Sequence, residues 1–168
     1  MGTDTYHLEM DNGDIINGCT EFKYLGTIFT KNGRNTKNIR YRVTQARKIT
    51  GALKGVWWSK NITRNRKMII YNSMVKSVVI YGAETWISYE DDRRRINATE
   101  RDELRRSARI SKLDRKANEY SRGKMDAQDM KLDDITRKQL IWYGHVERMD
   151  PTRLPKIMIH WKPEGRKK

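Results

Sequence analysis

The sequence predicts a mainly α protein: a helical bundle preceded by a short antiparallel β-hairpin or meander. Strand-like alternation and tight-turn signals are confined to the first 33 residues. After them, residues 36–57 and 63–86 repeat apolar side chains three and four apart, the period of one buried helix face. The second run is the most apolar in the chain and predicts the central helix of the bundle.

Tyr6 to Met10 alternates loosely, Asp11-Asn12-Gly13-Asp14 is a strong turn signal, and Ile15-Ile16 resumes the strand pattern. Phe22 to Phe29 is aromatic and β-branched and stops at Lys31-Asn32-Gly33, so three short strands are expected. From Thr36 to Trp57, Ile39, Val43, Ala46, Thr50, Leu53 and Trp57 form one seam, with Arg40, Arg47 and Lys54 along its flank. Lys37 and Lys48 lie further round, toward solvent. Trp57 and Trp58 precede the central helix, as bundle anchors or, where exposed, as faces for bases.

Thr63 can cap the central helix, because its hydroxyl accepts an orphan amide hydrogen bond of the first turn. Met68, Ile69, Tyr71, Met74, Val75, Val78 and Val79 form its stripe, which widens toward Ile80 and Tyr81 and predicts neighbours on several sides. Ser88 can cap a third helix running to about Ile110, with Glu90, Asp91 and Asp92 in the first turn, where the helix dipole favours acids. Its apolar stripe is poor. Residues 111–129 are polar and predict a stretch that includes a loop, with a break at Gly123, and Leu132 to Val146 predicts a fourth helix. Lys156 to Trp161 suits a short strand or a helix, and residues 163–168 a disordered basic tail.

With 168 residues the chain suffices for one domain, and a net charge of +15 with 36% hydrophobic residues leaves a thin core. The single cysteine, Cys19, excludes an internal disulfide, and no Cys/His cluster suggests zinc. No signal peptide and no long apolar run is present, which predicts an intracellular protein without a membrane partner; nucleus and cytoplasm are not distinguished. Met1-Gly2 lacks the Ser or Thr of a myristoylation site, since Tyr6 stands there. Asn61-Ile62-Thr63 and Asn97-Ala98-Thr99 fit the glycosylation pattern, which means little without a secretory signal.

Charge is unevenly placed. Residues 1–30 carry a net −4, residues 31–80 hold thirteen bases and no acid, and residues 81–168 carry +6. Fifty residues without a carboxylate point to a polyanion, nucleic acid before acidic lipid or acidic protein.

Three stretches then resemble one family in its own order. They are Phe22-Lys23-Tyr24-Leu25-Gly26, Val79-Ile80-Tyr81-Gly82-Ala83-Glu84-Thr85-Trp86, and Ile141-Trp142-Tyr143-Gly144-His145-Val146-Glu147-Arg148-Met149. With the terminal Trp161-Lys162-Pro163-Glu164-Gly165-Arg166, they resemble the C-terminal part of the reverse transcriptase of non-LTR (LINE-type) retrotransposons, from about residue 15 onward.

The resemblance implies that residues 1–33 are a β-hairpin remnant of the palm, with Tyr24, Leu25 and Gly26 from the strand region that supports the primer. Residues 34–113 would be a thumb-like helical bundle, 114–162 a polar connection with a C-terminal helix, and 163–168 the tail. Thumb helices of this family lie along the template–primer duplex. That makes an RNA–DNA hybrid or RNA the expected partner, gripped by Arg40, Arg47, Lys48, Lys54 and Lys37. Gly144, His145 and Arg148 belong to a family motif of unknown role.

In the family, the carboxylates that hold two magnesium ions lie upstream of the matched region, so no catalytic residue and no cofactor is expected here; magnesium belongs to the intact parent. Tyr89-Glu90-Asp91-Asp92 spells the Tyr-x-Asp-Asp box but falls after the Phe-Lys-Tyr-Leu-Gly stretch rather than before it. The third helix also departs from the pattern, with Thr99, Glu103, Ser107 and Ala108 where bulky apolar residues are expected and Arg109 where Gly is. The expectation is a truncated, non-catalytic polymerase fragment that binds nucleic-acid backbones. The rest of a longer polymerase is a further candidate partner; the alternatives are an interaction module that docks to another protein, for instance an intact copy of the same polymerase, or a relic without function.

Overall fold

The computed structural model describes residues 7–125 and 131–162. Tyr6, the end of the polar stretch and the basic tail at 163–168 lie outside the described residues. The architecture is a helical bundle preceded by two small antiparallel hairpins.

The first hairpin pairs β1 (His7–Glu9) with β2 (Ile15–Asn17), Leu8 opposite Ile16. The second pairs β3 (Glu21–Tyr24) with β4 (Thr27–Thr30), Phe22 opposite Phe29. The described residues thus form four strands, one more than expected. The stretch from Phe22 to Phe29 folds back at Leu25-Gly26, a two-residue turn with φ of +46° and +77°, the mirror-image geometry that suits the twist of a tight hairpin. Leucine rarely takes such a φ, so periodicity alone hides the turn.

Helix α1 (Thr36–Ala52) buries Ile39, Val43, Ala46 and Thr50, the expected seam. It does not continue to Trp57. Leu53 leaves helical geometry and a separate α2 spans Lys54–Trp58. The buried Trp57 indole N–H donates to the Thr50 carbonyl at 2.9 Å. That carbonyl is the one a continuous helix would offer to the Lys54 amide, so the bond turns the chain back onto α1. Trp57 is the anchor, while Trp58 stays half-exposed.

The central helix comprises α3 (Arg64–Ile70), a π-helical turn (Tyr71–Lys76) and α4 (Ser77–Val79). Thr63 caps it, accepting the Arg66 amide at 3.4 Å. Tyr71, Val75 and Val79 pack with the α1 seam, Trp57, Ala83, Trp86, Ile96 and Ile135 into the main core. Burial on several sides does not hold: Ile69, Met74 and Tyr81 are exposed, because the packed neighbours cover one side of this helix. The helix ends before Gly82, at φ +68°, where a Cβ would stand 3.2 Å from the Thr27 hydroxyl of β4.

After a 3₁₀ turn (Ala83–Thr85), α5 (Glu90–Ser107) begins with its three acids, but Tyr89 rather than Ser88 occupies the cap position and no side chain caps the end. The polar positions of α5 are buried: Thr99, Glu100, Glu103 and Ser107 lie inside beside Ile96 and Leu104. They keep hydrogen bonds there. Thr99 donates to the Arg95 carbonyl at 2.9 Å, Ser107 to that of Glu103 at 3.0 Å, and Thr50 to the Glu103 carboxylate at 3.5 Å. Burial, with Glu103, Glu100 and Asp134 adding to it against Arg122, pushes the Tyr71 hydroxyl far above its ordinary range.

Within the polar stretch residues 118–125 form α6, and Gly123 lies inside it without the expected break. Ser121 and Met125, one turn apart, are buried, and Arg122 reaches Glu100 at 3.7 Å, so packing on α5 holds the helix. Met125 joins Leu104, Ala108 and Ile110 in a second core cluster. Helix α7 (Lys131–Glu147) buries Ile135 and Val146 but leaves Leu140, Ile141 and Tyr143 exposed. Of the two possibilities for the last segment the helix forms, α8 (Leu154–His160). Among the described residues no helix is long and apolar enough to cross a membrane.

Candidate nucleic-acid interface

Helix α1 has a buried side and a basic side because its apolar and basic residues follow the same period out of phase. Lys37, Arg40, Thr44, Arg47 and Lys48 are all exposed, and their spacing places them on one stripe of the helix. Among the described residues, no hydrogen bond or ion pair involves the side chains of Arg40 or Lys48. Arg47 donates to the Thr99 hydroxyl of α5 at 3.3 Å, which ties it to the seam between the helices. Lys54 has left the stripe, since the break at Leu53 carries it onto α2.

Beside the stripe, β3–β4 lies along α1. The Ile28 amide donates to the Asn38 side chain at 3.2 Å, and Lys23 stands 5.1 Å from the Tyr41 ring centre. Between hairpin and helix runs an open groove of about 910 Å³, lined among others by Lys31, Arg34, Lys37, Arg40, Tyr41 and Thr44. Four cations face a single carboxylate there, Glu21, which pairs with Lys37. Lys31 and Arg34 were not among the predicted site residues. The acid-free run containing them was visible, but their position beside α1 depends on how the hairpin docks.

The turn Leu25-Gly26 is held from behind. Tyr81 donates to the Leu25 carbonyl at 3.2 Å and Arg42 to the Gly26 carbonyl at 2.7 Å, with the Arg42 guanidinium 4.3 Å from the Tyr81 ring centre. Tyr24 and Leu25 themselves are exposed. The stretch Phe22–Gly26 and the stretch around Tyr81-Gly82 therefore touch, 56 residues apart in sequence.

Helix α7 meets the second stretch through Gln139, two residues before the third stretch begins, whose amide donates to the carbonyls of Ala83 (3.3 Å) and Trp86 (2.8 Å). Gly144 and His145 lie farther along α7 and Arg148 in the turn just after it, before α8. There Lys156 donates to the Glu147 carbonyl at 2.6 Å and His160 meets the Glu147 carboxylate at 3.0 Å. His145 and Arg148 are exposed.

Glu90, Asp91 and Asp92 each meet a partner within the protein. Asp92 is buried and accepts the Thr36 hydroxyl at 2.8 Å, while Glu90 and Asp91 meet Arg94 at 3.4 and 4.0 Å. Among the described residues no group of three or more His, Cys, Asp or Glu could hold a metal ion. No protein-family model, curated protein or solved structure matches the chain.

Proposed function

We propose that this protein binds the phosphate backbone of nucleic acid, with little regard to sequence, through the exposed stripe of α1 and the adjoining groove. The observation that carries the reading is the coincidence of the acid-free region with one open face: Lys37, Arg40, Arg47 and Lys48 on α1, and Lys31 and Arg34 across the groove. Each phosphate neutralised by a Lys or Arg releases counterions, so several contacts add affinity that salt removes. The resemblance to non-LTR reverse transcriptases supports an RNA–DNA hybrid or RNA as the ligand. It casts the chain as a thumb-like fragment of an RNA-directed DNA polymerase that does not itself polymerise.

The test is binding of a labelled RNA–DNA hybrid at two salt concentrations, wild type beside Arg40→Glu/Lys48→Glu. The wild type should lose affinity steeply with salt. The variant should bind at least about ten-fold more weakly and lower the slope by roughly two, as expected for two lost phosphate contacts. If folded wild type does not bind at low salt, the reading is wrong. A second reading, a protein-docking module, is favoured by the exposed Leu140, Ile141, Leu154, Met158 and Trp161 of α7, α8 and the segment after them. Binding through that apolar surface would change little with salt.

A further inference from the structure

A smaller concavity lies where α2 meets the C-terminal half of α5. It measures about 360 Å³ and is lined by Lys54, Trp58, Asp102, Arg105, Arg106, Ile110 and Ser111. Its parts have separate origins. The break at Leu53 places Trp57 in the core while its neighbour Trp58 stays 43% exposed. Arg105 is a fixed wall, donating to the carbonyls of Lys116 (2.7 Å) and Ser111 (2.9 Å). Lys54 and Arg106 are exposed, and among the described residues neither side chain makes a hydrogen bond or ion pair. Three cations thus stand round an open aromatic face, with one carboxylate, Asp102, among them.

The pocket also continues the basic stripe. Arg47 is bonded to Thr99, and Thr99, Asp102 and Arg106 follow at intervals of three and four along one face of α5. A strand tracked by Arg40 and Arg47 therefore leads toward Lys54 and Arg106. A concavity near the lower end of the usual range for small ligands, roughly 300–1,000 Å³, suits one base and not a double helix. The face of Trp58 cannot be met by a base stacked on both sides inside a duplex.

We propose that this pocket takes one unpaired nucleotide, its base against Trp58 and its flanking phosphates on Lys54 and Arg106. The inference rests on the backbone-binding reading above and adds a substrate class to it: duplex with a single-stranded tail. Stacking on an aromatic face favours an unpaired base. A half-exposed indole should therefore give a preference for tailed over blunt duplex of about 5- to 30-fold.

The experiment compares a blunt RNA–DNA hybrid with the same hybrid carrying a short single-stranded tail, for wild type, Trp58→Ala, Trp58→Phe and Arg106→Gln. Wild type should prefer the tailed ligand. Trp58→Ala should lose the preference while binding the blunt ligand as before, Trp58→Phe should keep most of it, and Arg106→Gln should reduce it. Arg106 is exposed, so that variant remains informative should Trp58→Ala unfold. If wild type binds both ligands equally, or if a folded Trp58→Ala or Arg106→Gln leaves the preference intact, the pocket is not a nucleotide site and the backbone-binding reading stands. If wild type binds neither, both readings fall.

Discussion

Two residues hold backbone conformations that their surroundings impose. Leu25 sits at φ +46° in the hairpin turn with its side chain 73% exposed, so it carries strain and little burial. Leu25→Asn should stabilise the protein by about 0.5–1 kcal/mol in a urea titration, since Asn-Gly suits this turn. Gly26→Ala should destabilise it, because an added Cβ has to take φ +77° and meets the Arg42 guanidinium at 3.4 Å. Lys67 is a different case, a buried ammonium donating to the carbonyls of Trp57 (2.6 Å) and Ser59 (2.9 Å) at the end of α2. Lys67→Met should cost about 1–3 kcal/mol, the penalty for leaving two acceptors unmet. Burial, with Arg109 and Lys124 nearby, lowers the Lys67 pKa from 10.5. Between that lowered value and 10.5 the unfolded chain binds more protons than the folded one. This group's contribution to stability therefore rises with pH across that window. The pH profile of wild type should show this rise and that of Lys67→Met should lack it.

Among the elements, α7 depends on a charge placed inside. Asp134 is buried, pairs with Lys76 from the π-helical turn, and accepts from Arg137 at 2.7 Å. Removing one partner of a buried pair strands the other, so Asp134→Ala should cost about 3–5 kcal/mol by chemical denaturation. Replacing both partners, Asp134→Leu with Lys76→Met, should recover a good part of that loss. The α1–α2 break obeys a similar logic. At the break the Trp57 indole occupies the Thr50 carbonyl, and the basic line divides between two helices instead of running straight on to Lys54. Apolar spacing could not reveal it, because Leu53 and Trp57 continue the seam whether or not the backbone stays helical.

At the scale of the molecule, the two hairpins differ in attachment. All residues of β1 and β2 are exposed, whereas β3–β4 is bonded to α1 and to Tyr81. A chain beginning at Thr20 should keep its helical circular dichroism and melt within about 2 °C of the full chain, since few buried contacts are lost. Removing residues through Thr30 should lower the melting temperature clearly. The same truncation at Thr20 removes four of the five acids in the first thirty residues, so nucleic-acid affinity at low salt should rise rather than fall.

By itself the sequence determined the helical class, the hairpin start, the seam of α1, the cap at Thr63 and the acid-free basic region. Each of these follows from periodicity, turn chemistry or charge, which act over a few residues. Tertiary structure decided the turn at Leu25-Gly26, the division of α1 from α2, the burial of Glu100 and Glu103, and the helix across Gly123. In each of these an interaction between distant residues overrides a local preference: Tyr81 and Arg42 on the hairpin, Trp57 on Thr50, Thr50 on Glu103, Arg122 on Glu100. The candidate interface divides in the same way. Lys37, Arg40 and Lys48 could be read from spacing along one helix. Lys31, Arg34 and the surroundings of Trp58 become parts of a surface only once the hairpin and α5 pack beside α1 and α2, because their relative positions depend on contacts that no short stretch of sequence contains.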